Sequence, residues 1–427
     1  MIKTIAARFI DFRSEEEWKG LVWGTLYGFL IMTSYYILRA VRDEISSADR
    51  GTLQILWTAV FLVMLVAVPL YSWVASRWSR GVFVPLANRF FIACLVAFWL
   101  CLVFLPEAAR PWIDRVFYVW TSVFALFVVS VFWGLMSDCF SNRQGKRLFA
   151  TLAMGSSVGA MLGSTITASL ANWVPTFSLL LIACIPLEMA SWCALVLHRR
   201  FATGDVQGEN EKDRAIGGTA WDGMKAVFSS PFLMGIAAFI FLMTFVSTML
   251  YFQQANLVYE AFADRGERTA FYAKVDLVVN ALTLLFQLYL TARIIKWLGL
   301  GMTLAIVPVA MTAGFVALGL YPTLAVLVVV QVIYRAGRYG LTKPAREMLW
   351  TVLSREDKYK AKPFLDAAVY RGGDLVNGWL YHGLAAAGMT VGAIALVSAP
   401  VAGIWALLAI NLGRRERILA RTEGESA

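Results

Sequence analysis

Long apolar runs recur along the chain and are separated by short polar stretches. Each run holds close to 20 residues, which as a helix crosses about 30 Å of hydrocarbon at a rise of roughly 1.5 Å per residue. The runs cover 20–40, 52–75, 82–105, 112–138, 148–171, 176–197, 231–259, 268–294, 300–320, 322–341, 363–386 and 389–412. This pattern predicts an all-α membrane protein with twelve transmembrane helices.

One long polar segment, rich in charge and glycine, divides these runs into two sets of six. Two such sets joined by a hydrophilic segment are typical of transporters built from an internal repeat. We therefore predict two pseudo-symmetric six-helix bundles over 20–197 and 231–412. A cytoplasmic segment over 1–19, a cytoplasmic linker over 198–230 and a cytoplasmic tail over 413–427 complete the domain organisation.

Composition supports the membrane prediction. Of the 427 residues, 59% are hydrophobic and 15% are charged, whereas soluble proteins carry about 25% charged residues. Most Lys and Arg residues fall in loops on one side when both termini are cytoplasmic, as the positive-inside rule requires. The net charge of +10 is then expected to face the cytoplasm and membrane lipids rather than nucleic acid. Short outer loops and no transit peptide favour a multi-pass protein of the bacterial cytoplasmic (inner) membrane, which we expect to be a monomer.

The sequence offers no enzyme chemistry. It contains no G-x-x-x-x-G-K-[ST] phosphate loop, and neither of its two histidines, His198 and His382, lies in a triad or metal-ligand pattern. The five cysteines show no metal-ligand spacing and no disulfide framework. We predict no catalytic residue, no metal and no cofactor.

The stretch "SYYILRAVRDE" ends the first span with charges that oppose the positive-inside rule. Tyr35, Arg39 and Arg42 are spaced i, i+4 and i+7, so they share one face of the helix. One interpretation is interfacial snorkelling, with Asp43 or Glu44 as local partners. The other is that this face lines a central aqueous cavity, where buried charges mark a substrate path.

The tenth span, "QVIYRAGRYGLT", carries one polar stripe on an apolar helix. Gln331, Arg335, Arg338 and Thr342 follow at i, i+4, i+7 and i+11. A charge in hydrocarbon is costly, so each arginine should face protein, water or a counter-charge. Arg338 either reaches the inner head groups or acts as a gate, and Arg335 lies one turn deeper.

The eleventh span, "FLDAAVYRGGDLVNGW", places four polar residues in a run that must cross the bilayer: Asp366, Arg371, Asp374 and Asn377. Counted from Lys362, the Arg371–Asp374 pair lies about 14–18 Å deep. The two residues are three apart and can pair. This pair is either a structural lock between spans or a substrate or gating pair.

The seventh and eighth spans add further polar candidates, which either pack helices or bind a polar, planar ligand. They are Gln253, Gln254 and Asn256 in "YFQQANLVYE", and Lys274, Asp276 and Asn280 in the next span. In the fifth span, Gly155, Gly159 and Gly163 recur at every fourth position, which predicts a close helix–helix contact. That contact is structural, or a place where the halves move.

The stretch "FWGLMSDCFSNRQGKRLFATLAMGSSVGAMLGS" resembles the ATP/ADP translocase (NTP/NDP exchange transporter) family, nucleotide exchangers of plastids and intracellular bacteria with the major facilitator fold. The shared elements are Phe132-Trp133-Gly134, Asp138, Lys146-Arg147 and the spaced glycines. "YRAGRYGLT" and "KPAREMLWTVLSREDKYKAKPFLDAAVYRGGD" are similar to a bacterial branch of that family. Gln144 departs from the family, which has glutamate there.

The resemblance also assigns a role within the first span. The family pattern Leu-Arg-x-x-Lys-Asp is matched by "LRAVRD", in which Leu38, Arg39 and Asp43 are kept and Arg42 replaces the lysine. That lysine binds substrate in the exchangers, so the resemblance implies that Arg42 contacts phosphate. Arginine for lysine changes a point charge into a bidentate fork.

These observations predict a secondary active transporter, an antiporter that moves an anionic, phosphorylated solute by rocker-switch alternating access. Nucleotide exchange is what the resemblance implies. The predicted substrate-binding residues are Arg39, Arg42, Tyr35, Gln253, Gln254, Asn256, Lys274, Asn280, Arg335 and Arg371. The predicted gating or ion-pair residues are Asp43, Asp138, Lys146, Arg147, Asp276, Arg338, Asp366 and Asp374.

Two alternatives stay open at this point. The first is a proton-coupled carrier of another organic anion, a peptide or a lipid-linked substrate, with Asp374 or Glu188 as the proton site. The second is a membrane receptor or assembly factor that does not transport, with which the substitutions at Arg42 and Gln144 are consistent.

Overall fold

The computed structural model describes residues 14–77, 80–201, 220–354, 361–362 and 364–425. Over these ranges the regular structure is helical, and no strand is present. Ten helical segments within the described residues are long and apolar enough to cross a membrane. The chain is therefore a multi-pass integral membrane protein, as its apolar pattern predicts.

Each of the first six long helices contains most or all of one predicted span, and α1 extends five residues before and eight residues after its span. They are α1 (Glu15–Ala48), α2 (Leu53–Arg77), α3 (Arg80–Phe104), α4 (Arg110–Cys139), α5 (Asn142–Leu170) and α6 (Ser178–Phe201). Short 3₁₀ turns at Arg50–Thr52 and Glu107–Ala109 precede α2 and α4. Side-chain caps fix two starts: the Ser14 hydroxyl accepts a hydrogen bond from the Glu17 amide at 3.1 Å, and Ser141 forms a capping box with Gln144.

The remaining helices are more interrupted. They are α7 (Ala220–Ser229), α8 (Pro231–Ala261), α9 (Arg265–Leu285), α10 (Thr291–Leu320), α11 (Leu324–Gly337), α12 (Lys343–Met348), α13 (Tyr370–Ala386) and α14 (Val391–Glu425). Three π-helical turns lie at Phe286–Leu290, Arg338–Thr342 and Leu365–Val369. Such turns are frequent at functional sites.

The helix of the apolar segment Arg265–Leu320 is broken at Gly299, which has φ 73° and ψ 171°. This break lies between the predicted spans 268–294 and 300–320 and agrees with them, whereas the predicted linker differs from the structure. Within the predicted linker, α6 continues to Phe201 and α7 forms a short helix. Residues 202–219 of the linker lie outside the described residues.

The chain forms two compact units. The first consists of Met1–Asp49, Leu62–Arg214 and Phe262–Asn280. Its core lies around α1, which packs most extensively on α5 and α6. A side chain on Gly159 or Gly163 would overlap backbone atoms of α1, and the Thr33 hydroxyl donates to the Gly159 carbonyl at 3.1 Å. This confirms the close helix contact predicted from the spaced glycines, and it assigns that contact to α1.

The second unit consists of Arg50–Phe61, Ala215–Ala261 and Ala281–Ala427. Its most extensive helix contact joins α10 to α14, where Gly301 and Gly413 meet backbone to backbone. Helix α8 packs on α13 and α14. These contacts hold α8, α11 and α13 in one unit, so the polar residues of those three helices are placed by the same core.

Candidate functional site

In the first unit, the charged end of α1 forms a compact ion-pair cluster. The Nε of Arg39 lies 3.3 Å from Asp276 Oδ2 on α9 and 3.5 Å from Asp43 Oδ2. Arg42 donates to Asp43 Oδ1 from Nε at 3.2 Å and from a terminal nitrogen at 2.8 Å. We call Arg39, Arg42, Asp43 and Asp276 the α1 ion-pair cluster. Two arginines face two aspartates, so the cluster is neutral by formal charge.

Aromatic rings complete this cluster. The Arg39 guanidinium lies 5.4 Å from the Tyr36 ring, and that of Arg42 lies 5.5 Å from the Tyr118 ring on α4. The Arg39 side chain is only 15% exposed. Asp43 is thus the local partner that the snorkelling interpretation names, but the cation is enclosed by protein rather than extended to an interface.

Three other predicted residues lie near the cluster in sequence. Tyr35 is half-buried and packs edge-on against Tyr36, with ring centroids 5.3 Å apart. On α9, Asn280 is buried, and its Nδ2 has no hydrogen-bond partner among the described residues. Lys274 is exposed. The structure therefore brings Asp276 to Arg39 but gives Lys274 no place in the cluster.

Glu44 is not the local partner that the snorkelling interpretation offers as an alternative to Asp43. Its carboxylate is fully buried and does not pair with Arg39 or Arg42. Arg265 lies 2.7 Å from its Oε2, and Arg268 lies 3.0 Å from its Oε1. The signal that could have found this pairing is charge sign, because Arg265 and Arg268 also oppose the positive-inside rule.

In the second unit, Arg338 opens the π-helical turn after α11 and is held by hydroxyl groups. It donates to Ser247 Oγ at 3.2 Å, to the Tyr334 hydroxyl at 3.4 Å and to the Tyr370 hydroxyl. The rings of Tyr334, Tyr339 and Tyr370 have centroids 5.9, 5.5 and 5.4 Å from its guanidinium carbon. We call these three residues the tyrosine cage. Over the described residues, no carboxylate oxygen lies within 4.0 Å of this guanidinium.

The amides of α8 have specific partners. Gln331 Nε2 donates to Gln254 Oε1 at 2.9 Å. About one turn further along α11, the hydroxyl of the cage residue Tyr334 donates to the Met243 carbonyl at 3.0 Å. Gln253 donates to the Val391 carbonyl at 3.4 Å. Asn256 makes two hydrogen bonds, to the Phe252 carbonyl and to the Tyr381 hydroxyl. Gln253 and Asn256 therefore tie helices together, whereas Gln254 joins the polar stripe of α11.

The predicted stripe of the tenth span is only partly regular. Gln331 and Arg335 lie one turn apart on α11 and are buried, with Arg335 8% exposed. The π-helical turn then adds a residue, so Arg338 and Thr342 do not continue the 3.6-residue period. Thr342 is buried, and its hydroxyl oxygen has no hydrogen-bond partner in the described part of the chain.

The predicted pair of the eleventh span is not an ion pair here. Arg371 and Asp374 follow the π-helical turn Leu365–Val369, and no contact within 4.0 Å joins them among the described residues. The Asp374 carboxylate interacts electrostatically with Arg371 and Arg338 at longer range. Asn377 is fully buried and donates to Thr244 Oγ1 on α8 at 3.2 Å. The spacing of three residues allowed a pair that the side chains do not form.

The remaining gating candidates lie at helix ends. Asp366 pairs with Arg346 at 3.2 Å rather than with Arg371. Arg147 pairs with Glu17 at 3.2 Å, and Gln144 donates to the same Glu17 oxygen at 3.0 Å while its own oxygen caps α5. Glu17 was not among the predicted residues. Asp138 lies half-buried at the end of α4, and the side chain of Lys146 lies outside the described part of the structure.

No family model matches the chain. Its sequence is similar to the ADP,ATP carrier protein 1, chloroplastic, of Arabidopsis thaliana, with 22% identity over 399 residues. That match covers 79% of this chain, and the chain spans 64% of the length of the carrier. The resemblance read from the motifs and this sequence match therefore point to the same kind of protein.

Solved structures resemble the chain over a larger share of its length than this carrier does. The xylose transporter XylE from E. coli has a TM-score of 0.65 and 13% identity, covering 92% of this chain and 95% of that one. A POT family transporter in complex with a thioalcohol-conjugated peptide has a TM-score of 0.64 and 12% identity, covering 93% and 96%. The nucleoside transporter NupG has a TM-score of 0.63 and 12% identity, covering 93% and 99%. These proteins are transporters rather than enzymes, and the likeness shows that the chain has the major facilitator fold.

Proposed function

We propose that the chain is a secondary active transporter that exchanges an anionic, phosphorylated solute by alternating access. Twelve crossings follow if the two pieces of Arg265–Leu320 each cross and if Leu365–Val369 with α13 forms one more. The fold and the carrier-like sequence support transport, and the arginines support an anionic cargo. The distribution of Lys and Arg supports an orientation with both termini in the cytoplasm, and we further propose that the chain is a monomer in a bacterial inner membrane.

The observation that carries this proposal is Arg338 in its tyrosine cage. Hydroxyl oxygens and ring faces solvate a cation without cancelling its charge. Over the described residues no carboxylate is in ion-pair contact with this guanidinium, so its positive charge stays available to a ligand. A guanidinium presents a planar fork that matches phosphate oxygens, and such charge-assisted contacts are the strong ones. We therefore move Arg338 from the predicted gating residues to the substrate-binding residues.

The α1 ion-pair cluster has a complementary role in this proposal. Arg39 and Arg42 are neutralised by Asp43 and Asp276. A phosphate that binds Arg42 must displace Asp43, so binding exchanges one anionic partner for another. That exchange keeps the buried charge compensated in both states, which suits a carrier that must return with cargo. Arg335, Arg371, Gln254 and Asn280 remain proposed substrate contacts.

The proposed function is tested by exchange in proteoliposomes. Vesicles that contain purified protein are loaded with unlabelled nucleotide, and uptake of labelled ATP or ADP is followed with and without the internal nucleotide. We expect uptake that depends on internal nucleotide and not on a pH gradient. Sugar phosphates and inorganic phosphate serve as competitors that define the cargo. If no phosphorylated solute is taken up or competes, the anionic cargo is wrong.

Asp374 favours a second candidate, a proton-coupled carrier of an organic anion. Its carboxylate has no ion-pair partner within 4.0 Å among the described residues, so a proton can supply the missing compensation. In this case an imposed pH gradient drives uptake into vesicles without internal substrate. Asp374→Asn abolishes that driven uptake and leaves exchange at equal pH intact.

A further inference from the structure

A cavity of about 320 Å³ lies where α3 ends and α4 begins, within the first unit. Its apolar walls include Leu102, Leu105, Ile113 and Phe177. The volume equals that of about ten water molecules at roughly 30 Å³ each, which leaves room for a phosphate joined to a short amine. Neither the α1 ion-pair cluster nor the tyrosine cage contributes to it.

Two side chains of opposite charge line this cavity. Glu107 lies in the 3₁₀ turn and Arg110 is the first residue of α4, so they are three residues apart. No hydrogen bond or ion pair engages either side chain over the described residues. The Nε of Arg110 is buried with no acceptor, although an arginine donor without a partner is costly. Asp114, one turn further, is paired with Arg265 at 2.9 Å and does not compensate it.

Exposed apolar side chains adjoin the cavity. Phe104 is 76% exposed, and Trp112 is 67% exposed at the first turn of α4. Tryptophan at a helix end is typical of the membrane interface, at the depth of the lipid headgroups. The cavity therefore opens beside exposed apolar side chains, where a lipid can place its headgroup inside and its acyl chains outside.

We propose that this cavity binds the headgroup of a membrane phospholipid that carries a primary amine, of the phosphatidylethanolamine class. Arg110 binds the phosphate through charge-assisted hydrogen bonds, and Glu107 accepts hydrogen bonds from the ammonium. The two unpaired charges match a zwitterion better than an anion, because an anionic headgroup would leave Glu107 beside a second negative charge.

The test is lipid binding to purified, delipidated full-length protein, measured by native mass spectrometry and by the rise in melting temperature. Phosphatidylethanolamine, phosphatidylglycerol and soluble phosphoethanolamine are compared. We expect phosphatidylethanolamine to bind about tenfold more tightly than phosphatidylglycerol, which is roughly the worth of one charge-assisted hydrogen bond. Equal or tighter binding of phosphatidylglycerol overturns the proposal. Equal stabilisation by soluble phosphoethanolamine assigns the site to a free solute and also overturns it.

Substitutions at Arg110 and Glu107 test the phosphate contact and the ammonium contact separately. Arg110→Gln is expected to weaken binding of both lipids, and Glu107→Gln to remove the preference for phosphatidylethanolamine while leaving phosphatidylglycerol bound. Arg293→Gln, at an exposed arginine on α10, makes the same chemical change elsewhere and should keep the wild-type pattern. Glu107 is exposed, so its variant gives a result even if Arg110→Gln does not fold. Wild-type selectivity in Glu107→Gln contradicts the proposal.

Discussion

The arginines of α1 and the arginine that follows α11 are compensated in opposite ways, each within its own unit. Arg39 and Arg42 meet the carboxylates of Asp43 and Asp276. Arg338 meets hydroxyl groups and aromatic rings. The carboxylates cancel the positive charge of Arg39 and Arg42, whereas the hydroxyl groups and rings leave the charge of Arg338 uncancelled. We infer that an arginine inside a span is the stronger candidate for an anion site when its partners do not cancel its charge.

The difference has a physical basis in the cost of buried charge. An ion pair in a protein interior repays desolvation only with good geometry, and removal of one partner leaves an uncompensated charge. A cation held by several neutral acceptors and rings depends less on any one of them. We therefore expect substitutions in the α1 ion-pair cluster to affect stability, and substitutions around Arg338 to affect ligand binding and transport.

The largest effect is expected for Arg338→Gln. It removes the uncancelled charge, and over the described residues no carboxylate within 4.0 Å loses an ion-pair partner, so exchange should fall about a thousandfold, in line with the roughly 4 kcal/mol that a desolvated charge contact contributes. The melting temperature should stay near that of the wild type. Nucleotide uptake into proteoliposomes measures the loss of exchange, and a thermal unfolding scan measures the melting temperature. Unchanged exchange would show that the charge of Arg338 does not bind the transported anion.

Asp276→Asn tests the contribution of the α1 ion-pair cluster to stability. It leaves Arg39 with Asp43 alone, which Arg42 also requires, so the free energy of unfolding should fall by about 3 kcal/mol. The double variant Arg39→Gln with Asp276→Asn should recover most of that loss because no charge is then left unpaired. Denaturation of the purified protein in detergent provides the measurement. A single variant as stable as the double one would show that the pair compensates nothing.

Arg338→Lys separates charge from shape. Lysine keeps the positive charge but lacks the planar fork, so exchange should fall about tenfold, which corresponds to roughly 1.4 kcal/mol. The same replacement at exposed Arg293 is the matched control and should have no effect. Retention of full exchange by Arg338→Lys would indicate that only net charge matters.

The smallest effect is expected for Tyr370→Phe. The change removes one hydroxyl acceptor from the cage and keeps the ring beside Arg338. Nucleotide affinity should change about fivefold, as for the loss of a single hydrogen bond worth about 1 kcal/mol. Titration of the ligand-induced rise in melting temperature detects a shift of that size. A loss as large as that of Arg338→Gln would mean that the hydroxyl itself contacts the ligand.

The sequence predicted features that depend on local periodicity. The length of the apolar runs gave the membrane-spanning helices, and the four-residue spacing of Gly155, Gly159 and Gly163 gave a close helix contact. The i, i+4 relation likewise put Arg39 one turn before Asp43, where the two side chains pair. These features arise within one helix, so a single stretch of sequence contains the information for them.

The features that escaped prediction depend on residues far apart in the chain or on altered helical period. Glu44 pairs with Arg265 and Arg268, more than 200 positions away, and nothing in the first span identifies those partners. The Tyr370 hydroxyl reaches Arg338 from another helix, after a π-helical turn that no spacing rule anticipates. Whether a buried arginine is neutralised is therefore a property of tertiary packing.

Nucleotide-induced stabilisation of matched glutamine variants shows directly whether the charge of Arg338 binds a phosphorylated ligand. Wild type, Arg338→Gln and Arg293→Gln are melted with increasing ADP, and the dissociation constant is taken from the rise in melting temperature with concentration. We expect ADP to stabilise the wild type and Arg293→Gln clearly and to leave the melting temperature of Arg338→Gln unchanged. Stabilisation of Arg338→Gln equal to that of the other two would contradict it.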